Sequence, residues 1–303
     1  MAVQCAAGDT SCAMAEDGRM ARNDRHGRHA VARVGISGWR YPPWRGVFYP
    51  KGLRQRDELR YVADRLTSVE INGSFYALQR PRNYDAWYAE TPAQFVFSVK
   101  GPRFISHMKK LHDVDLPLAN FYASGVLALR EKLGPILWQL PPNLGFNPAR
   151  LAQFFAKLPR TTFAAARVAR NHEDRLADRA LTRADADRPL RYALEVRHAS
   201  YETREFVDLM REHDVALVVA DTAGRWPRFN DVTSDMVYVR LHGDQELYVS
   251  GYSGEALTMW AERIREWTAA GHDVFAYFDN DVKVRAPYDA IQLLERLGDG
   301  PSR

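Results

Sequence analysis

Eight short apolar runs, each breaking at its end into charged, aromatic or amide residues, constrain this chain more than anything else in it. The runs are Arg33–Ser37, Thr67–Ile71, Gln94–Val99, Pro135–Leu140, Tyr192–Val196, Val215–Ala220, Met236–Leu241 and Asp273–Phe278, with stretches of helical length between them. Strand-then-helix units repeated to that number close into an α/β, (β/α)₈ TIM-type barrel, which gathers the residues that follow each strand at one end. Parallel barrel strands are covered on both faces, so Ile136-Leu137-Trp138 and Leu217-Val218-Val219 read as nearly continuous apolar runs, where an antiparallel sheet would alternate.

The pattern also predicts helices over Asp57–Leu66, Pro81–Glu90, Leu118–Leu133, Pro148–Lys157 and Pro287–Leu297, and one or two exposed helices in the charged stretch Ala164–Arg188. Residues 1–30 lack apolar periodicity and are small, polar and Arg/His-rich, which predicts a disordered tail ahead of one barrel domain over residues 31–303. The last residues, Gly298–Arg303, are expected to fray. With 303 residues, 46% of them hydrophobic, one large core is available. No run approaches a signal-peptide core or the roughly 20 apolar residues of a membrane span, so the expectation is a soluble, cytoplasmic protein with no membrane partner. Both cysteines, Cys5 and Cys12, lie in the tail, which argues against thiol chemistry in the barrel; Met20 offers a second start that would remove them.

Net charge is +4, and in the tail four arginines balance four acids, so the surplus belongs to the barrel. No basic run or nucleic-acid module accompanies it, and nucleic acid is not the favoured partner. Instead Arg40, Arg45, Lys100, Arg103, Lys109, Lys110, Arg197 and Arg240 fall at or just after strand ends, which points to a small anionic ligand. No glycine-rich phosphate loop, nucleophile elbow or dinucleotide fingerprint is present, and no cofactor is assigned. Oligomeric state is not legible.

Glu70 and Glu195 lie inside strands two and five. A charge within so apolar a strand is either paired or functional; we expect Glu195 and Glu70 to be catalytic, against the alternative that Glu195 is a buried ion pair with Arg197, Arg240 or Lys100. His242 shares a strand face with Arg240 and is expected to carry protons, with His198 and His107 as further candidates. Asn72, Asp221, Asp279 and Asn280 would orient the substrate, Lys100, Arg197, His198 and Arg240 would hold its negative group, and Trp39 and Tyr76 would stack on it. The loop Gly38–Pro50 is either such a wall or a plug of aromatics burying one another. Lys100, if desolvated, would also suit a Schiff base, although anion binding is the simpler expectation. The same acids and histidines suit a divalent metal of unknown identity by residue type alone. A third reading is a non-catalytic polyanion or nucleic-acid binder that uses the basic mouth and Ala164–Arg188.

Taken together, Gly35-Ile36-Ser37-Gly38-Trp39 with Phe48-Tyr49-Pro50, Glu70-Ile71-Asn72 with Ser74-Phe75-Tyr76, and Phe97-Ser98-Val99-Lys100 resemble the YecE-like family, a domain of unknown function. The resemblance continues through Trp138-Gln139-Leu140-Pro141-Pro142, Glu195-Val196-Arg197-His198, Val239-Arg240-Leu241-His242-Gly243 and Tyr277-Phe278-Asp279-Asn280, covering Arg33 to Leu297. It implies a TIM-type barrel and carries over no reaction. The chain departs from the family pattern at Asp279-Asn280, where the family tends to have Asn-Asn, and near Val284 and Asp289, where it tends to have a glycine and an asparagine.

Overall fold

The structure, a computed structural model, describes residues 29–298. The tail expectation, both cysteines and the end of the chain beyond Gly298 lie outside the described residues. Strands and helices run in the order β1 (Ala32–Ser37), α1 (Glu58–Ala63), β2 (Ser68–Ile71), α2 (Gly73–Tyr76), α3 (Pro81–Glu90), β3 (Val96–Lys100), α4 (Asp115–Ala123), β4 (Leu133–Gln139), α5 (Pro148–Lys157), α6 (Thr162–Ala169), β5 (Tyr192–Glu195), α7 (Arg204–Glu212), β6 (Ala216–Leu217), β7 (Val219–Asp221), β8 (Met236–Leu241), α8 (Gly254–Ala269), β9 (Asp273–Phe278) and α9 (Ala286–Leu297).

Every strand pairing is parallel, and the hydrogen-bonded order is β6-β5-β4-β3-β2-β1-β9-β8-β7. Its two ends, β6 and β7, are successive pieces of one extended stretch parted only by Val218. The first piece pairs with β5 and the second with β8, so the chain itself carries the ring from one edge to the other. The strand expected over Val215–Ala220 is therefore two, because it changes partner midway, and the barrel expectation holds.

Alternation along the strands separates two cores. Outward residues such as Val34, Ile36, Val69, Phe97, Trp138 and Leu194 pack under the helices. Inward residues form a smaller apolar cluster around Leu137, Ala193, Val218, Tyr238, Phe275 and Tyr277. Above it, toward the C-terminal ends of the strands, the interior turns polar, with Ser37, Glu70, Lys100, Glu195 and Arg240 all buried. Gly35 is the inward residue of β1 at the level of Tyr277: a Cβ there would sit 2.1 Å from the Ser68 carbonyl oxygen and 3.3 Å from the Tyr277 ring.

Two helix expectations are corrected. The helix predicted over Leu118–Leu133 stops at Ala123, because Gly125 takes φ 107° and its backbone passes Pro81 so closely that a Cβ would meet the proline Cα at 2.4 Å. A 3₁₀ stretch, Val126–Lys132, then leads into β4. In the charged segment, α6 is capped by the Thr161 hydroxyl, which accepts from Ala164 N, and it buries Ala165, Ala166 and Ala169 rather than standing free. Beyond it only a 3₁₀ turn, Asp174–Arg179, is regular. None of the described helices is long and apolar enough to cross a membrane.

Candidate functional site

Arg240 organises the C-terminal mouth. It lies inward on β8, fully buried, beside Ala220 on β7 and Tyr277 on β9. Its fork reaches both oxygens of Glu70 on β2 (Nη2–Oε1 2.9 Å, Nε–Oε2 3.1 Å), Glu195 Oε2 on β5 (Nη1, 2.6 Å), Asp279 Oδ2 beyond β9 (Nη2, 2.9 Å) and the Ser37 hydroxyl (3.2 Å). A guanidinium offers five donors in one plane, and here they gather carboxylates from three strands. Glu70 also accepts from Ser37 Oγ at 2.9 Å and Tyr238 Oη at 2.7 Å. Glu195 Oε1 accepts from Arg197 Nε at 2.7 Å.

Burial by itself would raise the Glu195 carboxyl, but Arg197 and Arg240 hold it well below the usual carboxylate range. Burial likewise opposes ionisation of Asp279, and Arg240 and His242 overcome it and keep its carboxyl low. These acids therefore stay charged and bonded to arginine through the neutral range. The buried-ion-pair alternative for Glu195 is the one the geometry matches, and Glu70 has the same character.

Two buried side chains keep a polar atom without a hydrogen bond. His242 is fully buried with Nε2 3.5 Å from Arg240 Nη1 and 3.9 Å from Glu195 Oε1. Its Nδ1 lies 3.0 Å from Asp279 Oδ2, but out of line for a hydrogen bond, so that nitrogen has a charged neighbour and no bonded partner. Lys100, 7% exposed, has its Nζ 4.5 Å above the Phe75 ring, with no hydrogen bond or ion pair to its ammonium among the described residues. Burial, reinforced by the Arg240 charge, pushes its pKa down to about 8. His107, edge-on to Phe75 at 5.1 Å, is lowered to about 4 by burial and then by Lys100 and Arg197.

Over this floor, Arg197 stacks 3.8 Å from the Trp226 ring and reaches Tyr248 Oη at 3.3 Å, and Tyr248 stands edge-on to His242 at 5.2 Å. Arg197, Trp226 and Tyr248 line a cavity of about 680 Å³. A second groove of about 610 Å³, outside the ion-pair cluster, carries Tyr76, Arg103, Lys109, Arg175 and Arg179.

The structure thus brings together Glu70, Glu195, Arg240, Arg197, Lys100, His242 and Asp279. Asn72 lies near, beside Tyr41, with a buried Oδ1 that has no partner. Other expected residues are elsewhere. Trp39 is core, packed edge-on to Trp87 at 5.3 Å, and Trp44, Phe48 and Tyr49 bury one another, so the Gly38–Pro50 loop is the plug. Tyr76 is 71% exposed in the outer groove. Asp221 points outward to Tyr252, 3.4 Å away, because its neighbour Ala220 takes the inward position. His198 caps a 3₁₀ turn through Ser200, and Asn280 ties Ser250 to Asp289. Arg45 is spent on Glu58 at 2.7 Å. Sequence reasoning missed Ser37, Tyr238, Trp226 and Tyr248. Alternation gave a signal for Tyr238, two positions before Arg240 on the same face, and none for the two loop aromatics.

Among the described residues no group of three or more His, Cys, Asp or Glu is arranged to hold a metal ion. The physical reason is that Arg240 sits where a divalent cation would bridge Glu70, Glu195 and Asp279.

The family described as "Protein of unknown function DUF72" matches residues 33–303. UPF0759 protein YunF of Bacillus subtilis (strain 168) is 31% identical over 114 residues, 36% of this chain and 39% of that protein. UPF0759 protein YecE of Escherichia coli (strain K12) is 29% identical over 112 residues, 37% of this chain and 38% of that protein. These matches span less than half the length of either relative. Among solved structures, a DUF72 family protein from Thermotoga maritima MSB8 superposes with TM-score 0.70 at 25% identity, over 88% of this chain and 99% of that one. One from Enterococcus faecalis V583, 18% identical, shares the fold with TM-score 0.69 over 90% of this chain and 98% of that one. With the family match running from β1 through the last helix and past it, this chain belongs to the DUF72 family.

Proposed function

We propose that this protein, acting through one barrel unit over residues 31–303, is an enzyme for a small anionic substrate, sugar- or nucleotide-like in size, transformed by acid/base chemistry at the C-terminal mouth. The observation that carries the reading is the contrast within the mouth. Three carboxylates and two arginines satisfy one another, and the Lys100 ammonium and His242 Nδ1 are left without a hydrogen-bonded partner. Rigidly paired ions position a site, while groups free to gain or lose a proton do its chemistry. Lys100 and the cavity-lining Arg197 are the cations that meet the anionic substrate and His242 a proton carrier, with Trp226 and Tyr248 replacing Trp39 and Tyr76 as the wall. Glu70, Glu195 and Asp279 are positioning residues that act through Arg240.

The test is ligand-induced stabilisation, which grows as the ligand concentration exceeds its Kd. Wild type and Lys100→Met, checked for folding, are screened by thermal shift against sugar phosphates, nucleoside monophosphates and 2-oxo acids. A saturable rise in Tm for one class that is lost in Lys100→Met is expected. If no small anion stabilises the wild type, the reading fails.

A second reading keeps support from the outer groove, where Arg103, Lys109, Arg175 and Arg179 surround exposed Tyr76, Phe104 and Met108. Part of Ala164–Arg188 lines it, as a polyanion binder would require. Stabilisation by long polyanions alone, falling steeply with salt, would favour it.

A further inference from the structure

Two buried lysines in this protein differ in what surrounds the amine. Lys132 is a structural lysine: its Nζ donates to Tyr88 O at 2.6 Å, Thr91 O at 2.7 Å and Thr91 Oγ1 at 3.1 Å, which uses all three ammonium protons. Lys100 is nearly as buried and makes none of these bonds. The carboxylates around it, Glu70, Glu195 and Asp279, are each held by Arg240, and none forms an ion pair with Lys100. Its amine lies over the face of Phe75, 4.5 Å from the ring centroid. An ammonium so placed keeps its burial penalty and lacks a partner ion, and Arg240 adds a like charge, which the attraction of Glu70, Asp279 and Glu195 only partly offsets; the neutral amine carries no such penalty.

Position matters as much as protonation. Lys100 is the last residue of β3 and follows Ser98 on the inward face, so the barrel aims it at the mouth from the strand end where (β/α)₈ enzymes place reacting groups. The Ser74 hydroxyl donates to the Lys100 carbonyl at 2.7 Å, pinning the backbone that carries the side chain.

Building on the small-anion reading, we propose that Lys100 is a nucleophile that forms a Schiff base with the carbonyl carbon of an anionic 2-oxo acid or aldehyde. The Nζ lone pair of the neutral amine forms the C–N bond while the carbonyl π pair moves to oxygen, which takes a proton to give a carbinolamine. The nitrogen loses a proton to solvent, its pair forms C=N as the C–O bond breaks, and the hydroxyl leaves as water after protonation. In sum, amine, carbonyl and one proton from solvent give a protonated imine and one water, with no oxidant or reductant required. The neutral fraction this needs is supported by the lowered pKa: at about 8 instead of 10.5, the free amine at neutral pH is roughly 300-fold more abundant than on an ordinary lysine.

The experiment is reductive trapping on the full-length wild-type protein. Pyruvate, glyoxylate or uncharged acetaldehyde is added with sodium cyanoborohydride, and the modified lysines are located by peptide mass spectrometry across pH 6–10. Glyoxylate or pyruvate is expected to modify Lys100 at pH 7.5 at least about ten-fold faster than exposed Lys51 or Lys283. Labelling of Lys100 should rise with pH to a midpoint near 8, the value to which burial lowers it, and sodium lactate, an anion without the carbonyl, should slow it. Labelling spread evenly over the lysines, or sparing Lys100, overturns the proposal without depending on whether any variant folds. The two readings fail separately: a Tm raised by lactate or pyruvate with no trapped imine sinks the nucleophile alone, and equal trapping of acetaldehyde and pyruvate sinks the anionic-substrate reading.

Discussion

Replacing Arg240 by methionine removes the cation that two buried carboxylates, Glu70 and Glu195, share with the part-buried Asp279. Arg240 makes two hydrogen bonds to Glu70, one to Glu195 and one to Asp279, at 2.6–3.1 Å. Glu70 would keep the Ser37 and Tyr238 hydroxyls and Glu195 would keep Arg197, so the loss falls hardest on Asp279 and on the balance of charge. Three carboxylates would then face two cations, Lys100 and Arg197. Removing one partner of a buried ion pair costs about 3–5 kcal/mol. At roughly 2–4 °C per kcal/mol for a chain of this class, the melting temperature should fall by on the order of 10 °C at pH 7.5. The pH dependence separates lost pairing from lost packing. In wild type, burial would raise Glu195 and Asp279, but the arginines depress both, so their contribution is present above the unfolded values of about 4 and is lost as pH falls through the depressed ones. In Arg240→Met, Asp279 loses the largest charge that offsets its burial and keeps only His242 and Lys100, so its pKa rises and the stability its pairing contributes above about pH 4 is reduced. The deficit relative to wild type should therefore be largest near neutrality and shrink toward pH 4.5, followed by circular dichroism melts at several pH values. A variant as stable as wild type at pH 7.5, or a deficit that widens on acidification, would refute the reasoning.

Gly35→Ala puts a Cβ 2.1 Å from the backbone oxygen of Ser68 on the neighbouring strand, so it should lower the urea midpoint by the equivalent of about 1–3 kcal/mol with an unchanged slope. An unaltered midpoint would mean that β1 and β2 separate freely. For Lys100 the folded value is about 8 against 10.5 ordinarily, so the unfolded chain binds the extra proton between those pH values and wild type should gain on Lys100→Met as pH rises through that window, by on the order of 3 kcal/mol. Urea titrations of both proteins at pH 7.5, 9 and 10 check this, and a constant difference would show that the amine is solvated.

Most of the barrel was legible because its strands and helices carry local signals. Met236–Leu241 and Asp273–Phe278 are strands over the bounds their apolar runs predict, and Pro81 and Pro148 mark the first turns of their helices. The division of the sixth strand is not local: Val218 lies in an unbroken apolar run, and only its change of partner from β5 to β8 parts the two pieces. The Leu118–Leu133 expectation let an apolar pattern outweigh Gly125, whose left-handed φ was the better signal. At the site, Glu70, Glu195 and Arg240 stood out as charges inside strands, and parity from Arg240 reaches Tyr238. Parity fails at Trp39 because Gly38, at φ 84°, turns the chain between Ser37 and the tryptophan. It would have excluded Asp221, since Ala220 is the inward residue beside Arg240. Trp226 and Tyr248 come from loops, where no period tells which side chain returns over the mouth.

The charge balance of the mouth limits what its ligand can be. Arg240, Arg197 and protonated Lys100 match Glu70, Glu195 and Asp279 one for one, so an arriving anion leaves a surplus negative charge in a buried site. If that charge settles against Lys100, it favours the ammonium and suppresses the neutral amine that imine formation requires. If it settles on the Arg197 side, where the guanidinium borders the cavity under Trp226 and Tyr248, it leaves Lys100 under the influence of Arg240 and its own burial. Anion recognition and an amine nucleophile are thus compatible for a substrate whose charge and carbonyl lie on different atoms, with the charge toward Arg197 and the carbonyl toward Lys100. The carboxylates held by Arg240 make that division durable, because none of them is free to move to Lys100 and restore its proton.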